Sequence, residues 1–177
     1  NLTIENPTIH GDQYVGALAG RSVSTNISNV GVEGGTVVGN NRVGGLVGLN
    51  SSYSPIENAY TTGDVEGNEY VGGLVGMNTS YSPIENAYAT GDVKGNEYVG
   101  GLVGISSSSN SSSPSSIENA YATGDVEGNE YVGGLVGWNG PTKSNHAGSG
   151  IIKNAYATGG VIGESHVGGV VGGQITR

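Results

Sequence analysis

The chain has 177 residues and a formal charge of −9, with glycine at 35 positions and neither cysteine nor phenylalanine. Its large side chains are mainly ten tyrosines and one tryptophan, which is too little to fill a thick core, and the missing cysteine excludes disulfide and thiolate-metal chemistry. Six scattered Lys and Arg residues exclude a nucleic-acid partner, and no apolar run approaches the ~20 residues of a membrane-spanning helix.

Asn1 opens directly on repeat-like sequence, as in a mature product or an excised piece of a longer chain. Residues 1–20 read as a shortened first repeat, with Leu2, Ile4 and Ile9 alternating loosely before Tyr14-Val15-Gly16-Ala17-Leu18-Ala19-Gly20. The second repeat, 27–48, ends in Arg42-Val43-Gly44-Gly45-Leu46-Val47-Gly48. Repeats 56–76, 84–104 and 117–137 begin Ile-Glu-Asn-Ala-Tyr and end Tyr-Val-Gly-Gly-Leu-Val-Gly; the last, 152–172, begins Ile-Lys-Asn-Ala-Tyr. Between them, 49–55, 77–83, 105–116 and 138–151 vary in length, which marks them as surface loops.

The copies, compared with one another, indicate which side chains face inward. Val30 and Val32 stand where the third repeat has Ala59 and Thr61, and Gly31 stands where it has Tyr60. Ala59, Thr61 and Val65 are therefore expected inside and Tyr60 outside. By the same period of two, Val71, Gly73 and Val75 share an inward face. Leu74 then falls on the opposite face and needs a cover, from the loops or the tyrosines.

Gly-Gly pairs, β-branched residues and tyrosine disfavour helix. Short strands repeated at a step of about thirty residues predict an all-β fold, a parallel β-solenoid of about six glycine-rich repeats. Stacked coils would align Tyr60, Tyr88, Tyr121 and Tyr156 in one ladder, and Tyr70, Tyr98 and Tyr131 in another. Asn58, Asn86, Asn119 and Asn154 would form an amide ladder at a turn, extended by Asn29 and Asn6.

Gly-Leu-Val-Gly at residues 45–48, 73–76, 101–104 and 134–137, each preceded by Val-Gly and linked to an Ile-x-Asn-Ala-Tyr segment, resembles the GLUG-motif repeat of bacterial and archaeal surface proteins. The resemblance covers nearly the whole chain; the first and last copies depart from it at Ala17-Leu18-Ala19-Gly20 and Gly169-Val170-Val171-Gly172. It implies a secreted, cell-surface, adhesin-like setting, in some cases beside an immunoglobulin-cleaving domain, and it supplies no active-site residues.

Three acidic ladders are the main candidates for chemistry: Glu57, Glu85 and Glu118; Asp64, Asp92 and Asp125; Glu69, Glu97 and Glu130. Stacked like charges either splay into water or invite a cation such as Ca²⁺; the solvated reading is the one adopted, and no cofactor is expected. Each carboxylate recurs in equivalent surroundings, whereas a catalytic acid pair needs two different ones. A glycan-active β-helix enzyme would need a groove joining carboxylates of different repeat phases. His10, His146 and His166 are far apart in phase, and Thr142-Lys143-Ser144 lacks the glycine of a phosphate-binding loop. No catalytic or metal residue is assigned.

Asn1, Asn26, Asn50, Asn78 and Asn110 each begin an Asn-x-Ser/Thr acceptor for N-glycosylation. Tyr53, Tyr81 and Trp138, in the loops, either stack on sugar rings or cover Leu74, and covering is the reading adopted. The sequence thus points to a non-catalytic, extracellular module acting as a stalk or adhesive surface. Its partners would be cell-surface or matrix glycans or proteins. Self-assembly of copies into a filament through exposed strand edges is the structural alternative.

Overall fold

The computed structural model describes residues 1–108, 115–141 and 149–175. Among the described residues every regular element is a strand, and none is a helix long and apolar enough to cross a membrane. One full coil shows the plan. In the third repeat, strands Ile56–Thr61, Asp64–Glu66, Glu69–Gly72 and Val75–Asn78 follow one another with only short corners between them. Each pairs in parallel with its counterparts in the neighbouring coils, which builds four sheets of six strands. Register is copy on copy: Ile84 pairs with Ile56 and Ile117, and Val99 with Val71 and Val132. The fold is the expected parallel β-solenoid of six coils.

Two thin apolar columns run along the axis. One joins the first sheet to the fourth and contains Ile56, Ala59, Leu74, Val75 and their copies; the other joins the second sheet to the third through Val65, Val71 and theirs. Ala59, Thr61 and Val65 are buried and Tyr60 is half-buried on the outside, as the comparison of copies predicts. Thr61 keeps its hydroxyl inside by donating to the Gly73 carbonyl at 2.7 Å.

Leu74 corrects the reading of the glycine-rich stretch. Period-two alternation holds only within one strand, and this stretch is two strands joined at a corner, Gly73-Leu74. The corner sends Val71 into one column and both Leu74 and Val75 into the other, so Leu74 is fully buried and no loop or tyrosine is needed to cover it. The variable loops are also only partly loops. The fourth strand runs on to Asn78, and Asn50, Ser54, Asn78 and Ser82 are fully buried.

Glycine is required where the third and fourth sheets meet. A Cβ on Gly76 would lie 2.7 Å from the Tyr70 oxygen and the Val43 nitrogen, and one on Gly100 would collide with the Val103 carbonyl while lying 2.7 Å from the Gly137 nitrogen. The two backbones touch directly, with no side chain between. The Asn58 column sits inside the first-sheet strands, not at a turn. Asn29, Asn58, Asn86, Asn119 and Asn154 all have φ of 49° to 56°, a left-handed conformation that asparagine tolerates. Asn6 does not extend this column: Glu5 pairs with Glu33, which puts Asn6 in phase with Gly34. Large exposed apolar side chains concentrate on the first and last coils, among them Leu2, Ile151, Ile162 and Val167, because each of those coils has a neighbour on one side only.

Gly100→Ala should destabilise the protein by about 3 kcal/mol, since a rigid backbone must move to admit the methyl group. Gly169→Ala, at the open end with nothing within 4 Å of the added Cβ, should change it by less than about 0.5 kcal/mol. Urea unfolding midpoints of the two variants check the contrast.

Candidate functional site

Copy-on-copy register sorts every outward residue type into a column, and two faces bring chemistry-bearing columns together. The first is aromatic. Tyr70, Tyr98 and Tyr131 stack with centroids 5.2 and 5.0 Å apart, nearly parallel. The column is longer than the sequence suggested. The Arg42 guanidinium lies 5.2 Å from the ring centroids of both Tyr14 and Tyr70, and His166 stacks on Tyr131 at 4.3 Å. Six rungs, Tyr14, Arg42, Tyr70, Tyr98, Tyr131 and His166, therefore form one ladder. All six have φ between 53° and 58°, an unusual conformation for bulky residues. The signal was available in the sequence, because Arg42 and His166 occupy the tyrosine position of their repeats.

Glu69, Glu97 and Glu130 flank this ladder on one side, and Met77, Ile105 and Trp138 stand in column on the fourth sheet. The Arg42 Nε donates to Met77 Sδ at 3.4 Å, and Asn41 Nδ2 donates to Glu69 Oε2 at 2.9 Å. Trp138 meets Tyr131 edge-on at 5.0 Å and donates from Nε1 to the Pro141 carbonyl at 3.4 Å. Tyr70, Tyr98, Ile105, Tyr131, Trp138 and Pro141 line a cleft of about 100 Å³. Burial pushes the Tyr70 and Tyr98 phenols up from the usual 10.0, with Glu69 adding to the effect at Tyr70.

The ladder of Tyr60, Tyr88, Tyr121 and Tyr156 stacks at 5.1, 4.9 and 5.1 Å, as predicted. Tyr60 donates to Glu33 Oε1 at 2.6 Å, and that hydrogen bond raises its pKa. Tyr53 and Tyr81 stack on each other at 4.8 Å with Tyr53 68% exposed, while Leu74 is buried in the inner column, which corrects the expectation that they cover it.

The second face belongs to the second sheet. Asp64 Oδ1 accepts from the Asp92 backbone N–H at 2.9 Å, Asp92 Oδ1 from Asp125 N–H at 2.9 Å, and Asp125 Oδ1 from Gly160 N–H at 2.7 Å. Each carboxylate thus fastens the next coil by a charge-assisted bond. These aspartates are exposed, yet they are not merely splayed into water, and the bond gives them a structural task without a cation. Two residues along the same strands run Glu66, Lys94 and Glu127, with Lys94 Nζ 2.9 Å from Glu127 Oε2. That contact raises the Lys94 pKa. The two columns bound a cleft of about 520 Å³ reaching from Val38 to Ile162. It does join carboxylates of different repeat phases, Asp64 with Glu66 and Asp125 with Glu127. On the first sheet Glu118 Oε2 lies 3.8 Å from Lys153 Nζ, and on the third Glu130 Oε1 lies 3.7 Å from His166 Nδ1.

The glycosylation acceptors divide by burial. Asn50 and Asn78 are fully buried: Asn50 Nδ2 donates to the Ser54 carbonyl at 2.7 Å and to Asn78 Oδ1 at 2.9 Å, while Asn78 Nδ2 donates to the Ser82 carbonyl at 2.7 Å. A sugar on either nitrogen has no room in the folded chain, so these two are corrected to core residues. Asn1 and Asn26 are exposed. Asn110, His146 and Thr142-Lys143-Ser144 lie outside the described residues. His10 stands on the second sheet and His166 on the third, and they do not come together. Among the described residues no group of three His, Asp or Glu is placed to hold a metal. A further amide column went unread in the sequence, in which Asn40 Nδ2 donates to Asp12 Oδ1 at 3.2 Å and Asn129 Nδ2 donates to Asn96 Oδ1.

The raised phenols make stability sensitive to alkali. A pKa raised in the folded state contributes stability that is intact below the unfolded value, near 10, and is lost as pH climbs through the folded one. Melting temperature should therefore hold to about pH 9.5 and fall beyond it, with tyrosinate absorbance appearing at higher pH in the folded than in the urea-unfolded chain. Asp92→Ala should cost about 0.5 to 1.5 kcal/mol by removing the bond to the Asp125 N–H, which water can then reach. A chelator should leave the melting temperature unchanged; a fall would assign the aspartates to a cation instead.

The model of the GLUG motif matches residues 39–66, 67–94 and 95–127, together just over half of the chain. No curated protein matches it. Among solved structures, a candidate immunoglobulin A1 protease from Bacteroides ovatus superposes with a TM-score of 0.56 at 20% identity, over 95% of this chain and 67% of that one. At that identity the likeness concerns the fold. With three tandem matches, each as long as one turn of the solenoid, the chain belongs to the GLUG-motif family.

Proposed function

We propose that this chain is a non-catalytic β-solenoid module of an extracellular microbial surface protein, a rigid spacer whose ruled outer faces meet cell-surface or matrix glycans or proteins. The observation that carries the reading is where the polar chemistry goes. Asp64, Asp92 and Asp125 bind backbone, the tyrosines bind one another, and Asn50 and Asn78 close the inside of the coil. Side chains consumed in joining coil to coil make a stiff body, and the faces they leave outside repeat the same groups at every step. The family and the fold shared with a candidate immunoglobulin A1 protease fit such a module carried by a larger surface protein.

The wide cleft on the second sheet gives a specific observation for a second reading, a glycan-active enzyme, because it pairs aspartate with glutamate. An acid and a base must sit in unlike surroundings for one to hold a proton while the other stays charged. Asp125 and Glu127 are alike in both being exposed and in both being engaged already by a donor, the Gly160 N–H and Lys94. That supports a role in cohesion over one in proton transfer.

Deleting residues 67–94, one repeat of 28 residues, should leave a folded protein whose long dimension in small-angle scattering shrinks by about 4.8 Å. Incubation with immunoglobulin A1 or with acidic and neutral polysaccharides should release no fragments or reducing ends. Loss of folding on deletion would remove the spacer reading, cleavage would install the enzyme, and growth of the particle with concentration would replace the spacer with a filament.

A further inference from the structure

We propose that the cleft along the second sheet is a docking surface for an extended, lysine- or arginine-rich polypeptide segment. The inference goes beyond the spacer reading and does not rest on it. The cleft's volume of about 520 Å³ is set over the backbone of the sheet above Val65, Val93 and Val126, with Val38 at one end and Ile162 at the other. Its floor is strand backbone, because those three valines point into the core, the apolar side chains left outside are Val38 and Ile162 at its two ends, and its rims are charged. Along one rim stand Asp64, Asp92 and Asp125; along the other, Glu66, Lys94 and Glu127. Five carboxylates face one ammonium, and that ammonium is already taken by Glu127 at 2.9 Å.

Charge complementarity therefore selects a cation. Shape selects a long one. The cleft crosses coils two to six, a span of about 19 Å at ~4.8 Å per coil, which an extended peptide of about six residues covers. Lysine and arginine suit both demands, because their charged heads reach the rims while their methylene stems lie along the strand backbone and, at the ends, on Val38 and Ile162. The aspartates are already fixed in direction by the backbone N–H groups they accept from, so binding orders little that is not ordered beforehand. A compact ion would use one rung, whereas a polycation uses the repetition.

Fluorescence anisotropy with a labelled oligolysine of about six residues tests the proposal on the intact chain, with a melting curve for each variant. The peptide is expected to bind and to weaken with salt. Glu66→Gln with Glu127→Gln should weaken binding by about threefold or more, and Lys94→Gln should tighten it by a similar factor. Glu57→Gln with Glu85→Gln, which removes the same two charges from the first sheet, should leave it unchanged. None of these five residues belongs to the apolar core. Absence of binding, equal weakening by the first-sheet pair, or indifference to Lys94→Gln would each overturn the proposal, the second by showing attraction to net charge alone.

Discussion

Parallel, in-register stacking places every side chain about 4.8 Å from its own copy, and the rest of the structure depends on that distance. For isoleucine, valine and leucine it is simply good packing, and the two apolar columns need nothing further. For tyrosine it is ring-stacking distance, and three separate ladders form at 4.8 to 5.2 Å. A left-handed φ at a bulky residue costs about 1 to 2 kcal/mol, and a stacked aromatic pair contributes about 0.5 to 1.5 kcal/mol. Stacking of the third-sheet tyrosines therefore offsets part of the cost of their backbone conformation.

For a carboxylate the same distance is unfavourable, and the chain answers it in two ways. The aspartates of the second sheet turn toward the backbone of the next coil, so each negative charge meets an N–H dipole before it meets its copy. In the neighbouring column one lysine stands between two glutamates. Individual character lies in such breaks: Arg42 between tyrosines, Lys94 between glutamates, His166 on Tyr131. A solenoid with perfect repeats would have featureless faces; here Lys94 alters the charge of the second-sheet cleft, and Trp138, where other coils have Met77 and Ile105, shapes the aromatic one.

The close contact between layers has its source in the glycines. Where the third and fourth sheets touch, carbonyls and amides occupy the positions that side chains would need, so the two layers approach as closely as backbone allows. The interface has no rotamers to adjust and little room to shear. Such a contact would suit the proposed spacer, and it would keep fixed intervals between the groups on its faces.

Much of this was legible in the sequence, and for one reason. A repeat aligned with itself reports burial, since a position that accepts Val, Ala or Thr in different copies must be inside; that comparison placed Ala59, Thr61, Val65 and Tyr60, and it placed the tyrosine ladders and the number of coils. What period-two reasoning could not reach was anything beyond a corner. The reversal at Gly73-Leu74 exchanges the two faces between one residue and the next, so Leu74, which looked unprotected, is among the most deeply buried residues. Asn50 and Asn78 likewise looked like loop acceptors for sugars because Asn-Ser-Ser and Asn-Thr-Ser are polar, and only the continuation of the fourth strand shows them bonded to each other inside. The sequence by itself determined which residues stack, because stacking follows from the repeat. The tertiary structure alone decided which way each stack faces, because direction depends on how the backbone turns between strands, and the aromatic cleft exists only where such a turn sets the third-sheet ladder beside the fourth-sheet column.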